Sequence, residues 1–131
     1  MARAMTPDQV FAAVERVMAR PFAWGPCDCS SAACDVFAAL WGFDPMARVR
    51  GYQGERGALR LMRESGGMNG LAATLAAEAG LRDGHAAGGL ALVGIEGRAS
   101  LAICIHPGLW AGKSLRGFAL VQAAEQGWHL A

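Results

Sequence analysis

The chain has 131 residues, 53% of them hydrophobic and 18% charged, with a formal net charge of +1. That length and apolar content suffice for one packed domain spanning 1–131 without staples, and they are incompatible with intrinsic disorder. Acids and bases are interspersed, which leaves no electrostatic footprint for nucleic acid or an anionic membrane surface, and no uncharged stretch is long enough to be a membrane segment.

The opening "MARAMTPDQVF" lacks the apolar run of a secretory leader, so the chain is expected to be made in the cytoplasm without a signal peptide. Its cysteines at 27, 29, 34 and 104 are then expected to be free thiols. Thr6 supplies an N-cap ahead of Pro7, Asp8 and Gln9, and Val10, Phe11, Val14, Val17 and Met18 recur at helical spacing, which predicts a first helix over 7–20. "PFAWGPCD" holds two prolines and a glycine and reads as a loop. The segment 29–40 is apolar nearly all round, with Asp35 its only charge, as in a buried central helix.

"MARVRGYQGERG" is irregular, its glycines marking a flexible connection. Helical spacing resumes over 55–65, where Arg56, Arg60 and Arg63 form a basic stripe of the kind usually solvated. A fourth helix is expected over 69–80. Beyond Gly84 come short apolar runs, "GLALVGI", "SLAICI", "LWAGK" and "FALV", separated by turn-forming "EGRA", "HPG" and "SLRG". These predict an antiparallel meander with a last strand near Trp128. Helices first and sheet second make an α+β fold.

Chemistry concentrates in "WGPCDCSS". A thiolate is the reactive form of cysteine, and the first turn of a helix lowers a thiol pKa through its unpaired N–H groups and dipole. Cys29 is expected to hold that place. The motif resembles the WGxxDCS element of the NlpC-type cell-wall peptidases, a papain-like family. The continuation through "GGLALV" and "SLAICI" is similar to its phage-tail and gene-transfer-agent branch. The resemblance implies a papain-like α+β domain with Cys29 at the nucleophile position and Asp28 as its motif neighbour. It also implies a setting in a phage or phage-like tail tip, with other tail-tip or hub proteins as partners.

Two departures qualify that expectation. The family's base is a histidine opening the second strand, and the pattern places Ser100 there; serine is no general base at neutral pH. The usual GDL of the first strand is "GGL" at 88–90. His106, at ~3.3 Å per residue, lies about 20 Å from Ser100, and His85 falls near His106. His129 is the remaining substitute base. The leading expectation is a structural or assembly component with a degenerate active site. An alternative is an active peptidoglycan endopeptidase that aids genome entry.

A third reading is a metal or redox module of Cys27, Cys29 and Cys34. Zinc needs four converging ligands, yet Cys34 lies about 140° round the helix from Cys29 at ~100° per residue, so no metal and no cofactor is expected. "GLWAGKS" has Pro107 in place of the first glycine of a phosphate-binding loop and is rejected.

Overall fold

The computed structural model describes residues 4–130. Four helices precede six strands: α1 (Pro7–Met18), α2 (Cys29–Trp41), α3 (Gly54–Ser65), α4 (Gly67–Glu78), β1 (Arg82–Asp83), β2 (Leu90–Ile95), β3 (Arg98–His106), β4 (Leu109–Ser114), β5 (Gly117–Val121) and β6 (Gln126–His129). The α+β class and the helix-then-sheet order are as the sequence pattern predicts. Helix α1 stops two residues short of the expected end, at Met18, and β1, too short for a periodic signal, is an addition.

The first two helices start at side-chain caps. Thr6 and Gln9 form a reciprocal capping box on α1, and Asp28 and Ser31 do the same on α2. Helix α2 ends at Gly42 in the left-handed conformation, with its N–H on the Ala38 carbonyl. With Ala32, Ala33, Cys34, Val36 and Phe37 all buried, α2 is the central helix. Phe37 is fully buried, with Trp41 and Phe43 at ring-centroid distances of 6.2 and 5.3 Å.

All strand pairs are antiparallel, in the order β1-β6-β2-β3-β4-β5. Strands β2 to β5 form the expected meander, but β6 returns to the opposite side and pairs with β2. In a flat sheet β5 and β6 would lie about 19 Å apart, at ~4.8 Å per strand. Residues 122–125 bridge that distance, and the Glu125 N–H reaches the Leu92 carbonyl. So short a connection requires the sheet to curl, in the sense of its natural twist.

Curling gives the sheet two faces with separate cores. Leu90, Leu92, Leu101, Ile103 and Ile105 pack under the helices. Ala91, Val93, Ile95, Ala102, Cys104 and Trp110 fill the concave side. A Cβ on Gly112 would come within 2.3 Å of Ile95 Cδ1, so a larger residue there would displace that side chain.

The β2–β3 hairpin closes through Glu96 and Gly97, both at positive φ (53° and 76°), the conformation whose twist matches the flanking strands. This turn sets the register that pairs Ser100 with Val93. Truncating Phe37 to alanine is expected to cost about 3–5 kcal/mol, the usual range for a fully buried aromatic, measured as a shift in the urea unfolding midpoint.

Candidate functional site

The site is built on the N-terminus of α2. Asp28, 2% exposed, uses both carboxylate oxygens. Oδ1 accepts from the Ser31 N–H at 2.9 Å and its hydroxyl at 3.0 Å. Oδ2 accepts from the Gly25 N–H at 2.9 Å and the Tyr52 hydroxyl at 2.6 Å. The motif's glycine has a steric reason too. Gly25 sits at φ +97°, and a Cβ there would stand 2.5 Å from the Tyr52 carbonyl oxygen. Backbone bonds between Ala23 and Cys27 close the turn.

Tyr52 is delivered by the irregular segment after α2, which is pinned rather than flexible. Arg50 donates to Asp44 at 2.6 Å and to Asp35 at 2.7 Å, and Arg20 donates to Asp35 at 2.7 Å. The single charge of the central helix therefore joins two arginines across 30 residues of sequence. The Arg56, Arg60 and Arg63 stripe of α3 is solvent-exposed, as expected.

Cys29 lies between two cavities of about 210 and 220 Å³ that share it with Trp24, Arg98 and Ser100. Its sulfur is 3.8 Å from the Ser30 hydroxyl. The Ser100 hydroxyl and the Leu101 N–H, on β3, also face the sulfur. The fold therefore brings Cys29, Asp28 and Ser100 together, and Ser100 stands where the sequence pattern places a missing base.

His129 is not part of this grouping. It pairs with Arg82 at the edge of the sheet, and its ring lies beside Gly84. Its neighbour Trp128 pairs with Leu90, whereas Ser100 pairs with Val93, so His129 sits at the opposite end of β2 and one strand further out. His85 meets Trp110 edge to face at 5.1 Å, and His106 is exposed at the end of β3. No histidine lines either cavity at Cys29.

The expectation of a lowered Cys29 pKa is reversed. Burial and the charge of Asp28 raise it, more than Ser30, the Leu101 N–H and Ser100 lower it. The first reason is desolvation of the thiolate, and the second is the cap: a carboxylate already occupies the electropositive end of α2, and a second anion there is disfavoured. Burial also pushes the Cys34 thiol up. The Tyr52 hydroxyl is pushed up by burial and by its bond to Asp28.

All four cysteines are free, with Cys27, Cys34 and Cys104 buried. Among the described residues no three His, Cys, Asp or Glu side chains converge as metal ligands, so Cys27, Cys29 and Cys34 do not form the cluster entertained above. The "GGL" departure also has a cause: a Cβ on Gly89 would meet the Trp128 carbonyl oxygen at 2.5 Å, so β6 leaves no room for an acid. Sequence reasoning missed Tyr52 and Lys113. The latter is 3% exposed and lines the smaller cavity; an isolated tyrosine or lysine carries no pattern that would reveal it.

A family model described as "Domain of unknown function (DUF6950)" matches residues 2–130. No curated protein and no solved structure matches the chain. Among the described residues no helix is long and apolar enough to cross a membrane.

Two outcomes are expected at this site. Tyr52→Phe, which removes one donor from the buried Asp28 carboxylate, should destabilise the fold by about 1–3 kcal/mol in chemical denaturation. The raised folded pKa values of Cys29, Cys34 and Tyr52 mean that the folded state holds more protons than the unfolded state at alkaline pH. Stability from these groups is full below the unfolded thiol value, ~8.5, and falls as pH rises beyond it. Thermal unfolding across pH 7 to 11 checks the sign.

Proposed function

We propose that this chain, which belongs to the DUF6950 family, is a cysteine-peptidase-like domain whose catalytic site is degenerate and whose groove serves binding or assembly. The setting is the one the WGxxDCS resemblance implies, a phage or phage-like tail tip in which the domain meets other tail or hub proteins. The observation that carries the reading is the environment of Cys29: a serine hydroxyl and a backbone N–H at the sulfur, and no imidazole in either adjoining cavity.

The chemistry supports the same conclusion. Cysteine acyl transfer needs a thiolate, supplied either by a neighbouring base or by a depressed pKa. Here the base position is Ser100 and the pKa is displaced upward. What survives is the scaffold of such a site: a capped helix presenting a partly exposed thiol, a two-lobed groove, and a donor pair on β3 facing the sulfur. Hydrophobic side chains flank both lobes, Leu59, Met62 and Met68 on one side and Phe22 and Leu115 on the other, a surface suited to an extended apolar segment.

Incubated with purified peptidoglycan at neutral pH, the wild-type protein is expected to release no more soluble peptide than Cys29→Ala. Release that disappears in Cys29→Ala would establish the alternative, an active endopeptidase. Ser100→His is expected to raise the rate of Cys29 alkylation by iodoacetamide at pH 7 at least tenfold, followed by mass spectrometry of the Cys29 peptide. An unchanged rate would mean that position 100 is not the place of a base. Particles made with Cys29→Ala are expected to assemble tails normally, and those lacking the chain are not.

A further inference from the structure

The chain contains a single lysine, Lys113, among 12 basic residues, and that lysine is 3% exposed. It occupies β4, opposite Phe118 of β5, and its ammonium donates to the Gly117 carbonyl at 2.8 Å. An ammonium has three protons to place, and no carboxylate pairs with this one among the described residues: the ion pairs are Arg20–Asp35, Arg48–Glu78, Arg50–Asp35 and Arg50–Asp44. A buried cation without an anion is costly, and burial accordingly lowers the Lys113 pKa.

Lys113 also lines the smaller cavity beside Cys29, together with the hydroxyl-bearing Ser100 and Ser114. The charged groups around it are mostly of its own sign. Arg98 lines the same cavity, and Arg20 opposes its charge. The one acid on the cavity wall is Glu96, exposed at the hairpin turn. Phe22 and Trp24, edge to face at 4.9 Å, supply an apolar wall. The result is a small chamber of about 210 Å³ with a cationic and hydroxyl-rich interior and an aromatic side.

We propose that this chamber binds the carboxylate of a small ligand or peptide end, with Lys113 as its counter-charge, Ser100 and Ser114 as flanking donors, and the adjoining apolar group against Phe22 and Trp24. A carboxylate supplies the charge the fold omits and can carry an apolar group against the aromatic wall. The inference deepens the binding reading of the Cys29 groove and rests on it. A peptide C-terminus and a free short-chain acid share this chemistry.

Because Lys113 is the only lysine, ¹³C-lysine labelling places a single side-chain probe in the chamber. The probes to titrate are N-acetyl-alanyl-alanine, its C-terminal amide, and butyrate, on the Cys29→Ala protein so that turnover plays no part. The acid is expected to shift the Lys113 resonance, and to bind at least tenfold more tightly than the amide, a difference of ~1.4 kcal/mol. Butyrate matching the dipeptide would assign a free acid, and butyrate weaker than the dipeptide a peptide terminus. Lys113→Met should bring the acid down to the level of the amide, read from backbone amide shifts over residues 96–101.

Equal affinity for acid and amide, or a Lys113 resonance unmoved by either acid, overturns the proposal even if Lys113→Met fails to fold. Peptidoglycan release by the wild type with carboxylate binding intact would instead remove only the degenerate-site reading.

Discussion

One buried carboxylate holds this structure's site together. Asp28 caps α2, ties the preceding turn through Gly25 and anchors Tyr52 from a segment 24 residues away. Burying a charge so completely is tolerable only when its oxygens are fully bonded, and four donors from three chain segments meet that demand. The requirement fixes where Cys29 stands, because the residue after an N-cap opens the helix. It also adds to the electrostatics: burial disfavours a thiolate at Cys29, and the anion that stabilises the helix end disfavours it further.

The same logic extends outward through Asp35. Helix α2 is apolar beyond its opening serines, and its one acid meets Arg20 from just after α1 and Arg50 from the segment after α2, while Arg50 also holds Asp44. These groups are partly exposed, so each pair alone contributes little. As a network they fix the path of the chain from Gly42 to Tyr52, and thereby the position of the hydroxyl that Asp28 needs. A central helix can in this way be buried on nearly every side and still be registered against its neighbours by polar contacts at its rim.

Beneath the helix, the curled sheet supplies the opposite wall. The two-residue turn at Glu96 and Gly97 puts Arg98 to Ser100 under Cys29, and β4 brings Lys113 to the same cavity. A half-buried thiol at the start of α2, a serine facing it from β3 and a buried lysine with no acid partner among the described residues meet at one groove.

Much of this was legible in the order of residues. Helical periodicity and Thr6 and Asp28 as caps define α1 and α2; turn chemistry at "EGRA", "HPG" and "SLRG" separates the strands; and "WGPCDCSS" marks the site. These are local signals, carried by neighbours within one or two turns. The return of β6 to β2, the pinning of the "RGYQG" segment by Arg50, the union of Tyr52 with Asp28 and the separation of His129 from Cys29 came only from the tertiary structure. Each depends on contacts between residues far apart in sequence, where burial and sheet register decide the outcome. The upward displacement of the Cys29 pKa belongs with them, since a helix N-terminus favours a thiolate until desolvation and a capping carboxylate are counted, and both exist only in the folded chain.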